Sequence, residues 1–224
     1  PKPREPGQQV DAPTTGDAQS ETIILGRFAT GGHFVYQGSH GQVGKTPNAY
    51  FQRVIQLSGM QGARLRAVIM DNRYVLFDDP ITTSEIATTI DPDGTPAIDD
   101  EQANRLPFGT TPEGDDTDYG LQATNSQFTR NGAGRFWLKW WDGSQTAADA
   151  QLVDSYGSSD RPWTSTSVGA GVVYAVATWL YDRKVWQGLP EIRFVIDGIK
   201  LYDPRADTSV GGDGAQRWDN PSTW

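Results

Sequence analysis

The sequence predicts a mainly β protein: an antiparallel sandwich or barrel-like fold with one short helix and a long acidic insertion. Three observations predict it. Runs of strand length alternate with period two, as where Phe136, Leu138 and Trp140 fall on one face and Arg135, Trp137, Lys139 and Trp141 on the other. Two-residue turn signals, Asp71-Asn72 and Asp197-Gly198, separate such runs. The 25 Gly and 14 Pro of the 224 residues punctuate the chain, as short strands joined by tight turns require. Core material is present in 8 Trp, 8 Tyr and 8 Phe, each able to bury roughly 150–250 Å².

The elements follow in order. Residues 1–21 are polar, with Pro1, Pro3, Pro6 and Pro13, and read as an extended arm or linker. A β-rich domain is expected from 22–77 and 135–206 together. It opens with a strand over 22–28, a Gly31-Gly32 turn, a strand over 33–36 and a glycine-rich loop over 38–46. A strand over 48–57 places Phe51, Ile55 and Leu57 on one face, with Arg53 between them. Runs 63–70 and 73–77 form a hairpin around Asp71-Asn72 that sets Val68 opposite Val75 and Ile69 opposite Tyr74.

Residues 78–134 are long, acidic and poor in apolar runs, so they read as an inserted subdomain or a mobile excursion. The strand over 135–141 follows. Residues 146–156 carry Ala147, Ala148, Gln151, Leu152 and Tyr156 at helical spacing. The run 172–181 is apolar on both faces and is expected to be a central strand covered on both sides. Around Asp197-Gly198 a hairpin register places Ile196 opposite Ile199, Phe194 opposite Leu201 and Arg193 opposite Tyr202. Phe194, Ile196, Ile199 and Leu201 would then share the core face. Asp203-Pro204 stops the second strand, because proline has no N–H for the ladder. Residues 207–224 read as a linker into a further domain. The chain begins at Pro1, not Met, and is expected to be a piece of a longer protein.

Charge and composition narrow the function classes. With 28 Asp and Glu against 19 Lys and Arg, the formal charge is -9 and the isoelectric point is about 4.6. Such a surface repels phosphate backbones and anionic lipid, which argues against nucleic-acid or membrane-surface binding by the whole chain. The absence of Cys removes disulfides, zinc thiolates and thiol nucleophiles. No apolar run approaches the ~20 residues of a membrane-spanning helix.

No catalytic or metal signature emerges. Asp91, Asp93, Asp99, Asp100 and Glu101 cluster as hard oxygen donors, but counting from Asp91 the glycine falls at loop position four and Gln102 stands at position twelve. That breaks the calcium-loop pattern, and a solvated turn-rich loop is the better reading. Among so many carboxylates some pair always suits glycoside hydrolysis, and nothing here fixes a separation. His33 and His40 lack further ligands in any metal motif. Gly41 to Thr46 mimics part of a phosphate loop, but Ser39 stands where its first glycine belongs. No cofactor, no metal and no enzymatic activity are therefore expected.

The tryptophans carry the interface expectations. Trp137, Trp140 and Trp141 suggest either a sugar-stacking platform or, the better reading, a core Trp140 flanked by two residues that cover a second sheet or a subunit neighbour. Trp163, Trp186, Trp218 and Trp224 fall near loops, and tryptophan is enriched at binding hot spots. The interface candidates are Trp137, Trp141, Trp163, Trp186 and Trp218.

Four groups of segments carry a resemblance. GRFATGGHFVYQG begins at Gly26, followed by NAYFQRVIQLSG from Asn48; WWDGSQTAAD begins at Trp140, RPWTSTSVGAGVVYAV at Arg161, and GLPEIRFVIDGIKLYDPR at Gly188. In this order they resemble the N-terminal part of the tail hub proteins of long-tailed bacteriophages, also called host-specificity or tip attachment proteins. The resemblance spans about 22–220, and the shared order is more specific than any one segment. It implies a structural virion protein at the distal end of the tail, a homotrimer that closes the tail tube beside other tail proteins and supports recognition of a host surface receptor. The 78–134 insertion has no counterpart in that pattern. A carbohydrate- or receptor-binding β domain of a phage tail is the alternative, and it requires Trp137 or Trp141 exposed in a groove. A glycan-degrading enzyme is a third reading.

Overall fold

Strand β10 (Val173–Leu180) lies at the centre of the protein. All its side chains from Val173 to Trp179 are buried, as its two-sided apolar sequence predicts. In the computed structural model, which describes residues 22–77, 119–199 and 201–220, those residues are mainly β with one short helix and several antiparallel sheets. The strands before β10 are β1 (Arg27–Thr30), β2 (His33–Val43), β3 (Thr46–Ser58), β4 (Arg64–Met70) and β5 (Arg73–Tyr74). They continue with β6 (Leu121–Gln122), β7 (Thr129–Arg130), β8 (Ala133–Gly134) and β9 (Phe136–Asp142). Helix α1 (Ala150–Tyr156) precedes β10, and β11 (Ile192–Asp197) follows it.

These strands form a five-stranded sheet, β2-β3-β10-β9-β6, a four-stranded sheet, β1-β11-β4-β5, and the small β7-β8 pair. The two larger sheets share one core. Ile55, Leu138, Trp140 and Ala175 come from the first, and Leu65, Val68, Phe194 and Ile196 from the second. On its other face the five-stranded sheet carries α1. There Val54, Trp141, Tyr174 and Val176 pack with Leu152 and Tyr156.

Several sequence expectations are met residue by residue. Asp71 and Asn72 adopt φ of 48° and 60°, the left-handed pair that a tight hairpin turn needs. Ile69 pairs with Tyr74, and the Val75 N–H donates to the Val68 carbonyl at 2.8 Å. Phe136, Leu138 and Trp140 face the shared core.

The structure corrects four readings. First, Asp197-Gly198 is not a hairpin turn. Ile196 lies between Phe28 of β1 and Leu65 of β4, while Ile199 bridges Leu25 in parallel. The two faces of β11 are as expected, with Phe194 and Ile196 fully buried, but Leu201 is exposed. Gly198 is needed for closeness, not for positive φ: an added Cβ would lie 2.0 Å from the Ile24 carbonyl oxygen. The Asp197 carboxylate instead receives Arg27 Nε at 2.7 Å and the Arg66 guanidinium.

Second, the glycine-rich stretch 38–46 is not a loop. β2 continues to Val43 and turns only at Gly44-Lys45. Gly38 sits where a Cβ would lie 2.4 Å from the Tyr156 ring, so the glycine admits a helix side chain against the strand. Third, the helix starts at Ala150, because the Asp149 side chain caps it by accepting from the Leu152 N–H at 3.0 Å.

Fourth, the end of the insertion moves. From Tyr119 onward the 78–134 span belongs with the sheets: β6 pairs with β9, and Ala123 and Phe128 enter the shared core. Residues 207–220 are a compact turn cluster built on Asp207, which accepts from the Ser209 N–H at 2.8 Å and the Tyr202 hydroxyl at 2.9 Å. The Ser209 hydroxyl hydrogen bond, against the cost of burial, helps hold the Asp207 carboxyl at about 2. The arm 1–21, residues 78–118 with Asp91, Asp93, Asp99, Asp100 and Glu101, and Trp224 lie outside the described residues.

Candidate functional site

A cleft of about 770 Å³ opens where β3 begins and β10 ends, within the size range of ligand pockets. Phe51 and Trp179 come from the two strands, and the chain after β10 adds Tyr181, Arg183, Trp186 and Leu189. Asn48, Gln187, Ser39 and Thr46 complete its polar lining.

The chain over 181–190 is held in place by its first residues. The Tyr181 N–H donates to the Ala49 carbonyl at 2.8 Å. The buried Asp182 carboxylate receives Arg130 at 2.9 Å and Arg135 at 3.3 Å, and it also accepts the Lys184 N–H at 3.0 Å. Burial opposes ionisation of Asp182, but these hydrogen bonds and the Arg130 charge hold its carboxyl below the ordinary value. The Trp186 indole N–H donates to the Leu180 carbonyl at 2.9 Å, and its ring stacks on Phe128 at 5.9 Å. On this rigid base Tyr181 and Arg183 stand exposed, with Arg183 Nε donating to the Tyr181 hydroxyl at 2.6 Å. The other two guanidinium nitrogens of Arg183 have no hydrogen-bond partner among the described residues.

A second polar cluster lies under the helix, half-buried at His40 and Tyr119 and buried at Gln52, Lys139, Asp149 and Thr178. His40 Nδ1 is 2.9 Å from the Tyr156 hydroxyl, and Nε2 is 2.9 Å from the Tyr119 hydroxyl. Burial pushes the His40 pKa below 6.5, against the opposing pull of Asp154. Gln52 Nε2 donates to Gln151 at 2.7 Å and to the Thr178 hydroxyl at 2.9 Å. Lys139 Nζ donates to both carboxylate oxygens of Asp149 at 3.1 Å, and the Trp141 indole donates to the same group at 3.3 Å. These pairs tie the strands to the helix and so position it, while on the same face the Tyr174 hydroxyl and the Trp137 indole N–H are buried with no hydrogen-bond partner among the described residues. Among the described residues no group of three or more His, Asp or Glu is placed to hold a metal ion.

The five tryptophans proposed for interfaces are separated. Trp137 is 6% exposed, packed near Tyr50 and Tyr119, and Trp141 is 7% exposed and stacked on Tyr174 at 5.8 Å. The groove that a sugar platform at Trp137 or Trp141 requires is therefore not formed by exposed rings. Trp163 is half-buried against Tyr36 at 5.4 Å. Trp186 lines the cleft. Trp218 is 68% exposed and meets Tyr202 edge-on at 5.2 Å. Tyr181 and Arg183 were not singled out from the sequence. The available signal was the step from an apolar strand into Tyr181-Asp182-Arg183, where an acid can anchor a turn and present its neighbours.

A third feature is an apolar edge. β1 is the outer strand of the four-stranded sheet. Phe28 on it is 55% exposed, and Ile23 and Leu25 before it are 50% and 56% exposed. Leu201, which follows the Leu25–Ile199 bridge, is 55% exposed. Among the described residues no helix is long and apolar enough to cross a membrane. In comparison with known proteins, the chain matches no family model and no curated protein sequence.

Proposed function

We propose that this chain is a structural module of the tail hub at the distal end of a long-tailed phage or phage-like tail. It closes the tail tube, supports host recognition and acts without catalysis. The observation that carries the proposal is the apolar edge formed by Ile23, Leu25, Phe28 and Leu201 beside β1, the end strand of its sheet among the described residues. An uncovered strand edge with apolar side chains is a template for pairing with another chain, and exposed apolar patches mark interaction sites. A ring of identical copies buries such an edge on every subunit. The ordered segment resemblance adds the tail assignment and the threefold state, with other tail proteins as neighbours.

The test is electron microscopy of purified tailed particles labelled with antibody raised against this chain. Label confined to the distal tail end is the expected result. Label appearing only on disrupted particles would mean a buried structural position. No label on intact or disrupted particles overturns the proposal.

A further inference from the structure

We propose that the cleft between the start of β3 and the end of β10 binds an acidic saccharide. The apolar face of a pyranose ring packs on Tyr181 and Trp186, and its carboxylate pairs with Arg183. The inference is independent of the tail assignment.

Charge is the first argument. The chain carries 28 acidic against 19 basic residues, but the described residues lining the cleft include Arg183 and no carboxylate. Asp182, the nearest acid in sequence, is turned away and neutralised by Arg130 and Arg135. An acidic protein that lines a cleft this way repels anions least there and offers them a guanidinium fork. Arg183 has two terminal nitrogens without partners among the described residues, which is the donor set a carboxylate takes up bidentately.

The second argument is the character of the other groups. Tyr181 is exposed and Trp186 half-exposed, so flat apolar surface is available beside the cation. The remaining polar lining consists of carboxamides and hydroxyls, Asn48, Gln187, Ser39 and Thr46. Each of these both donates and accepts, matching sugar hydroxyls, which do the same. A peptide ending in a carboxylate would use Arg183 equally, but it has less use for four such groups around one aromatic wall.

The test is a calorimetric titration of the full chain with a panel of oligosaccharides containing uronic or sialic acids. Each is run as the free carboxylate and as its methyl ester, which keeps the ring and removes the charge. At least one acid is expected to bind, with its ester about tenfold weaker or more, the size of a lost charge-assisted hydrogen bond. Arg183→Gln is expected to weaken the acid about tenfold and leave the ester unchanged. Tyr181→Ala is expected to weaken both forms alike. Both side chains are exposed, so near-ultraviolet circular dichroism should show an unaltered fold. The proposal is overturned if no acid binds more tightly than its ester, or if Arg183→Gln binds the acid as the parent does. It is also overturned if a peptide ending in Phe with a free carboxylate binds more tightly than every saccharide.

Discussion

Toward the second sheet, β10 presents Val173, Ala175, Ala177 and Trp179; toward the helix, it presents Tyr174, Val176 and Thr178. Its neighbours divide the same way. β9 sends Phe136, Leu138 and Trp140 to one side and Trp137, Lys139 and Trp141 to the other. The first side is an apolar core held by area and close packing, forces without direction. The second side adds paired donors and acceptors, Gln52 with Gln151 and Thr178, Lys139 with Asp149, and His40 with two tyrosines, beside a Tyr174 hydroxyl and a Trp137 indole that have no partner among the described residues. Such bonds add little net stability when made and cost much when half broken. The contrast teaches that one face supplies the bulk of the burial, and the other fixes where a helix of only seven residues must sit.

The largest expected effect breaks the polar face. Asp149→Ala strands the buried Lys139 ammonium, at a cost of about 3–5 kcal/mol, and removes the helix cap for about 1 kcal/mol more. Urea unfolding followed by tryptophan fluorescence measures it. The double variant Lys139→Met, Asp149→Leu should recover the part of the loss due to the charge, because no ammonium is then left stranded, while the Trp141 indole and the Leu152 N–H still lose their acceptor. If the double variant is as unstable as the single one, the pair's cost does not lie in the uncompensated charge.

The apolar face comes next. Phe194→Ala should cost about 3–5 kcal/mol in the same assay, through lost burial and a residual cavity. Only an apolar side chain of similar volume should restore it. A smaller effect sharpens the boundary between sheet and helix. Gly38→Ala should cost about 1–3 kcal/mol by driving a methyl into the Tyr156 ring, and Tyr156→Ala should relieve that added penalty in a double-mutant cycle.

The smallest effect is a pH dependence confined to the polar face. Burial depresses the folded His40 pKa below 6.5, so the unfolded chain binds the proton more readily. The stabilisation from neutral His40 is complete above pH 6.5 and is lost as pH falls through the lower folded value. Thermal unfolding from pH 8 to pH 4 should show a decline from this group that His40→Gln lacks. A His40 titration midpoint at or above 6.5 by nuclear magnetic resonance would remove the basis for it.

Period-two patterns and local turns made much of the fold legible in sequence. The alternation of β9, the two-sided apolar run of β10 and the Asp71-Asn72 turn each rest on neighbours in the chain, and each was readable. What misled were features decided by distant partners. Gly198 looks like a turn glycine, but its space is claimed by the Ile24 carbonyl. Gly38 looks like loop composition, but it makes room for Tyr156. Asp149 looks like one more helical residue, but Lys139, Trp141 and the Leu152 N–H all converge on it. Trp186, which lines the cleft, was singled out from its residue type and its place near a loop. Tyr181 and Arg183 were not, because their exposure follows from Asp182 being held by Arg130 and Arg135.

The pairing of β3 with β10 sets a schedule for synthesis on the ribosome. Ile55 is opposite Ala175, and Phe28 of β1 is opposite Ile196 of β11. The β2-β3 and β4-β5 hairpins can close as soon as they emerge, but the central strand of the larger sheet is translated long after them. At roughly 5–20 residues per second, the early hairpins hold Ile55, Leu57, Leu65 and Val68 open to solvent for several seconds before β10 and β11 arrive. Loop closure over such sequence separations is slow in its own right. The nascent chain is thus a natural client for chaperones that shield apolar hairpins, and truncation before β11 should yield a chain that aggregates before it can fold.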